Sequence, residues 1–334
     1  MPASPPRKRK SWLRRAVEIA VTAAFLAYVG YALAKRWGDV RGVIGDLSLP
    51  ALGLSLAGAL AAVWCAFLSW RVLLADFGSR VPVTGAMRIF FVGQLGKYLP
   101  GKVWPVLTQM RLGRAHNVPG RSSAAAVLIT MFITLGTGLL LTAVALPLLG
   151  GKAWQNYWWT LFTVPVAFVV LLPPVLNRLL ALAMRLARRE AMPQPLSARG
   201  IGLAVFWAVA TWLCYGVHLW ALLLDLGAGG SDLIVRSVAA FAGAWSIGFL
   251  LAIAPAGLGP RETALVVLLA GSVSEPVALV AAVVSRLLMT LADLAWPAVA
   301  LLSDRRRRKV VSTPDIATVP APEPASMPAR EQVP

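Results

Sequence analysis

Hydrophobic residues in this chain come in long uninterrupted runs rather than in alternation. Positions 122–151, 200–224 and 237–260 contain no Asp, Glu, Lys or Arg. A bilayer's hydrocarbon core is about 30 Å thick and takes roughly 20 residues of helix to cross. Within it each backbone amide has to be satisfied inside its own segment, and runs without a period of two fit helices rather than barrel strands. The pattern predicts full spans at 16–34, 49–74, 122–149, 157–176, 201–224 and 277–302. Trp70 and Arg71, near the end of the second, read as an interfacial aromatic beside a snorkelling cation.

Two regions fail as simple spans. Residues 87–110 are moderately apolar, but Gly93, Gly96, Pro100, Gly101 and Pro105 break them and they carry Lys97 and Lys102. Residues 235–271 are interrupted by Pro255, Gly257, Gly259 and Pro260, directly before Arg261 and Glu262. The pieces form two halves of one plan: two spans, a Gly/Pro-broken hairpin, one span. The predicted fold is therefore an all-α integral membrane protein, a polytopic helical bundle of two inverted halves with two re-entrant regions. It has six full spans and up to eight membrane helices. The expected organisation is a basic cytoplasmic tail at 1–15, a membrane domain at 16–303 (halves 16–149 and 157–302), and a basic, Pro/Ala-rich disordered cytoplasmic tail at 304–334.

Charge supports that topology. With both hairpins dipping in and returning, 21 Lys and Arg lie in segments assigned inside and five in loops assigned outside, the asymmetry that the positive-inside rule describes. Letting both hairpins cross would move Arg111, Arg114 and Arg121 outside and reverse the loop at 178–199. Versions in which only the second region makes two extra crossings stay open. Both termini are expected in the cytoplasm, in a cell membrane.

Composition agrees with the class. Of 334 residues, 58% are hydrophobic and 14% charged, against about 25% charged in a soluble domain; mean hydropathy is +0.71. The net charge of +18 would suggest nucleic acid in a soluble protein. Here the cations gather at predicted membrane flanks, where anionic headgroups are the partner. Cys65 and Cys214 lie in apolar runs and read as packing residues; no disulfide framework or metal site is predicted. The basic start and apolar run to Leu33 resemble a signal peptide but lack a persuasive cleavage site, so the run reads as a retained first helix.

The breaks carry the candidate chemistry. GKYLPGKV at 96–103 nearly spells a phosphate-binding nucleotide loop, but Val103 stands where Ser or Thr would hold Mg²⁺, and the context is a membrane hairpin. Lys97 and Lys102 flanking the Pro-Gly break still place cations near free backbone amides, which suits an anionic headgroup. In PAGLGPRE at 255–262, glycines allow close backbone approach and Pro260 is placed to open a helix. Charged residues at membrane depth face the protein interior or a wet cavity. Arg261 is thus read as a headgroup contact, with Glu262 orienting it or coupling to protons; the other reading is that the two make structural ion pairs with other hairpin groups. Arg286 is a third cavity cation. Asp293, seven residues on, shares roughly its face and is read as pairing with a neighbouring helix; His218 reads as a packed side chain with one hydrogen bond. No catalytic signature is found and no cofactor is expected.

The LPGK core at 99–102 and the PAGLGPRE segment, followed by Ser285-Arg286-Leu287, resemble the two signature regions of the flippase-like membrane domain of lysylphosphatidylglycerol synthases and its stand-alone relatives. The resemblance covers about residues 16–302. It implies translocation of an anionic or modified phospholipid, or of a lipid-linked precursor, between leaflets. By position it carries Pro100, Gly101 and Lys102 to the first motif and Pro255, Gly257, Gly259, Arg261 and Glu262 to the second. Trp104-Pro105 stand where relatives often have a Gly-Glu pair followed by Arg, which leaves headgroup preference open. The family's soluble aminoacyl-transferase domain is not present, so aminoacylation of phosphatidylglycerol is not expected. The resulting expectation is a lipid flippase or transporter in which rocking of one half changes the exposure of the site. The alternatives are a polyprenyl-phosphate-dependent glycosyltransferase, for which Asp39 and Asp46 are the loop carboxylates, and a non-transporting scaffold for cell-envelope enzymes.

Overall fold

A computed structural model describes residues 47–98, 103–149, 162, 165, 169, 172–186, 194–251 and 259–311, with side chains left out at 146–149, 183, 184, 186 and 304–311. The predicted first span at 16–34, most of 157–176, the loop centres at 99–102 and 252–258, and the far tails lie outside the described residues. Every regular element described is helical.

Ser48 opens α1 (Leu49–Asp76): its hydroxyl accepts from Ala51 N at 3.4 Å and Pro50 occupies the first turn, where a missing N–H costs nothing. The helix ends before Gly78, whose φ of 82° is the left-handed geometry of a helix stop. After α2 (Val83–Met87) the first broken region is a π-helical turn, Arg88–Val92, and a 3-10 turn, Leu95–Tyr98, before α3 (Trp104–Arg114) returns. Then come α4 (Gly120–Leu149) and α5 (Pro173–Leu186). Ser197 caps α6 (Ala198–Asp225) as Ser48 caps α1, accepting from Gly200 N at 2.9 Å. It leads to α7 (Leu233–Leu251), α8 (Pro260–Leu269) and α9 (Glu275–Val311).

The protein is a polytopic helical membrane protein. Five helices are long and apolar enough to cross a bilayer: Leu49–Asp76, Gly120–Ala145, Ala198–Asp225, Leu233–Leu251 and Glu275–Ser303. Four coincide with predicted spans. The fifth, α7, belongs to the second broken region, so that region is a full-length arm joined to a short one. Arg236 Nη1, near the start of α7, donates to Ser272 Oγ at 2.9 Å, just past the end of α8. The hairpin therefore returns to the level at which it began. At 10 residues, α8 is about 15 Å long, half the hydrocarbon thickness.

The two halves clasp reciprocally. Asp225, the last residue of α6, accepts from Ser48 N at 2.6 Å and from Ser48 Oγ at 2.8 Å. Asp76, the last residue of α1, accepts from Ser197 N at 2.7 Å and from Ser197 Oγ at 2.8 Å. These paired ends run α1 and α6 antiparallel, and both helices are 28 residues long. Between the clasps Ser69 Oγ donates to Ala204 O at 2.9 Å. Gly58 lets the backbones close; a Cβ there would lie 3.0 Å from Cys214 O. Other helices pack across this pair. α4 packs on α7, where Trp212 Nε1 of α6 also donates to Thr137 Oγ1 at 3.0 Å, and α9 packs on the first hairpin.

Two boundaries differ from the sequence reading. Residues 178–199 were expected as a loop, but α5 runs to Leu186, because apolar residues recur at helical spacing after Pro173 and Pro174 open the helix. The last span was expected to stop at the RRRRK run, with a disordered tail from 304. Instead α9 continues to Val311, since Arg and Lys are good helix formers and are favoured at a helix C-terminus.

Candidate functional site

Lys97 of the first broken region and Arg261 and Glu262 of the second meet on α9. The second region supplies its share through Gly259, which precedes α8 with φ 97° and ψ −76°, a conformation open to glycine and strained for other residues. Pro260 fills the first helical position. Glu262 turns back so that Oε2 accepts from Gly259 N at 2.8 Å. Its other oxygen, Oε1, lies 3.5 Å from Arg286 Nη1 of α9 and is buried with no hydrogen bond.

Arg261 points elsewhere. It is 8% exposed and fits because Gly248 of α7 has no Cβ; one built there would lie 2.8 Å from Arg261 Cβ. The guanidinium carbon sits 4.6 Å from the centroid of the Phe241 ring, and Nη2 donates to Met289 Sδ at 2.8 Å. No carboxylate of the described residues lies within ion-pair distance of it. A guanidinium has five N–H donors. Here a weak thioether acceptor and a π face are its partners, and a buried charge left so lightly compensated is costly.

The first region contributes Lys97. Its Nζ pairs with Asp293 Oδ2 at 2.6 Å, the same oxygen that Tyr98 OH donates to at 2.7 Å. Lys97 also lies 5.5 Å from the Tyr98 ring centroid, and its side chain is one-third exposed. Arg286, Met289 and Asp293 lie at helical spacing on one face of α9, over a rise of about 10 Å. Among the described residues, three cations (Lys97, Arg261, Arg286) and two carboxylates (Glu262, Asp293) gather here, and Arg261 is the cation without a carboxylate within ion-pair distance.

Five of the residues singled out in the sequence, Lys97, Gly259, Arg261, Glu262 and Arg286, thus assemble on one helix. Pro100, Gly101, Lys102, Pro255 and Gly257 lie outside the described residues. Neither Arg261 nor Glu262 forms an ion pair with another described group of the hairpins; Glu262 turns to Arg286 of α9. Asp293, expected to pair with a neighbouring helix, pairs with Lys97 of the first broken region, a partner the sequence reading did not name. Tyr98, Met289 and Phe241 were not anticipated. Tyr98 had one available signal, since it adjoins Lys97 inside a motif already read as functional. His218 makes more than the single hydrogen bond expected, with partners at both ring nitrogens. Among the described residues no cluster of His, Cys, Asp and Glu could hold a metal ion.

Such an arrangement can take an anion. Arg offers parallel donors that match a phosphate, and Arg261 stands at the N-terminal end of a helix, where free amides also favour negative charge. On the far side of α9, Leu287, Leu291 and Leu294 are exposed, so one helix presents a charged face to the protein and an apolar face outward.

The family described as the lysylphosphatidylglycerol synthase TM region matches residues 15–296. No curated protein matches the chain.

Proposed function

The chain belongs to the lysylphosphatidylglycerol synthase transmembrane-region family, and from that premise we propose that it moves an anionic or modified phospholipid, or a lipid-linked precursor, between leaflets. The observation that carries this reading is Arg261, a buried cation with no carboxylate partner among the described residues. A headgroup phosphate reaching it supplies the missing counter-charge. Arg286 borders the same place, and Lys97, held by Asp293, is exposed enough to turn toward a second headgroup oxygen. Pro100, Gly101, Lys102, Pro255 and Gly257 are assigned to the same headgroup site through their motifs. The acyl chains stay in the bilayer against the leucine face of α9, so only the polar end has to cross.

The basic flanks support a cell-membrane location with both termini in the cytoplasm. They also support a membrane domain of two halves, 16–149 and 157–302, between basic tails.

Reconstitution tests the reading. Proteoliposomes with a trace of fluorescent phosphatidylglycerol in one leaflet should equilibrate it faster than protein-free vesicles, and faster than fluorescent phosphatidylcholine in the same vesicles. Equal rates with and without protein would remove the proposal.

A further inference from the structure

His218 is wholly buried, at 0% exposure, in the C-terminal third of α6, and neither ion pair of the headgroup cluster uses it. Its ring joins three helices. Nδ1 lies 2.9 Å from Ser55 O and 2.7 Å from Ser55 Oγ on α1, and Nε2 lies 2.8 Å from Ser285 Oγ on α9. A carbonyl oxygen can only accept, so the short contact to Ser55 O places the hydrogen on Nδ1. In the neutral ring Nε2 then carries the lone pair, and the Ser285 hydroxyl donates to it. Ser285 immediately precedes Arg286 and lies one turn before Met289, the acceptor for Arg261.

Beyond the Arg286–Glu262 pair and the Arg261–Met289 contact, α9 has two further described ties along its length. Trp296 Nε1 donates to Leu60 O at 3.1 Å, and Asp293 holds Lys97 and Tyr98. Those contacts fix one end of the charged face. Rotating the other end away would strip Nε2 of its donor in an interior without solvent to replace it.

We propose that His218 is a positioning residue: through Ser285 it sets the rotation of α9 that turns Arg286 and Met289 toward the second hairpin. The proposal goes beyond the headgroup reading in assigning a group that touches no ligand. Its effect on lipid affinity rests on that reading; its effect on helix rotation does not.

Two near-isosteric substitutions separate the roles of the ring nitrogens. His218→Asn keeps an amide donor near Nδ1, for Ser55 O, and loses the Ser285 contact. His218→Gln keeps an acceptor near Nε2, for Ser285, and loses the Ser55 contact. Both are made in the full chain with Cys65→Ala and Cys214→Ala, with a spin label at Leu291→Cys, which is 53% exposed. Two quantities are read: collision of the label with oxygen against a water-soluble relaxant, and binding of short-chain phosphatidylglycerol. The inference expects His218→Asn to shift the label's collision ratio and weaken phosphatidylglycerol about fivefold to tenfold, the worth of one hydrogen bond. His218→Gln should leave both close to the parent, even if its melting temperature falls. Ser285→Ala should reproduce His218→Asn. An unchanged collision ratio in His218→Asn, or identical behaviour of the two variants, overturns the inference and leaves His218 a packing residue. If Arg261→Ala binds phosphatidylglycerol as tightly as the parent, the headgroup reading fails and the collision ratio alone decides the role of His218.

Discussion

Arg261 lies within van der Waals reach of Gly248, and that approach can be tested by itself. A Cβ at Gly248 would sit 2.8 Å from Arg261 Cβ and 3.3 Å from its Cα, against backbone that cannot swing aside. Gly248→Val should lower the melting temperature by several degrees, in line with the ~1–3 kcal/mol of overpacking. It should also weaken anionic lipid binding, because the guanidinium is pushed off Phe241. Calorimetry and a lipid titration on the same preparation check both; a stable variant with unchanged affinity would show that the contact is unimportant. At this scale the sequence was a good guide to residue type and a poor one to partner. Charges inside apolar runs stand out wherever they occur, because their desolvation cost demands a reason. Which charge meets which depends on rotation about helix axes, and one sequence with no aligned relatives does not encode that legibly. Hence Arg261 and Glu262 stood out as charges, while their partners Met289 and Arg286 did not.

Among elements, the α1–α6 pair is the most firmly specified. Each end is held by a carboxylate that accepts from both the backbone N–H and the hydroxyl of a capping serine. Replacing Asp225 by Ala should cost about 1–3 kcal/mol, the range for charge-assisted hydrogen bonds. Asp76→Ala should cost less, since its bonds are solvent-exposed. Denaturation in detergent orders the two variants, and the reverse order would contradict the assignment. The clasps lie at opposite ends of an antiparallel pair, so rocking one half as a unit would have to break one of them. Cross-linking Ser48→Cys to Asp225→Cys, on a background lacking Cys65 and Cys214, should leave translocation within about twofold of the reduced protein. Loss of activity on cross-linking, recovered on reduction, would restore the rocking view. The sequence showed these helices as apolar runs of similar length but hid the clasp, whose members lie 177 and 121 residues apart. The hairpins were legible as breaks for the opposite reason: glycine and proline act locally. Even so, Gly96 turns out to be a contact between hairpin arms as well as a break, since a Cβ there would lie 2.8 Å from Pro105 N.

For the whole molecule, class and family could be read before any coordinate. Apolar runs of spanning length and two broken motifs are one-dimensional signals, and the five apolar helices and the family match agree with them. What needed three dimensions is convergence. Two motifs more than 150 residues apart bring Lys97, Arg261 and Glu262 to one face of α9, and Arg261 has no carboxylate partner there among the described residues. The account depends on an anionic headgroup being that partner. The direct test is leaflet-resolved translocation of fluorescent phosphatidylglycerol in proteoliposomes holding wild type, Arg261→Lys or Arg261→Ala at equal protein content. Removing the charge should slow translocation at least tenfold in Arg261→Ala, as expected for losing a buried charge-assisted contact. Arg261→Lys, which keeps the charge but not the fork of donors, should fall between the two. Equal rates for all three would contradict the account.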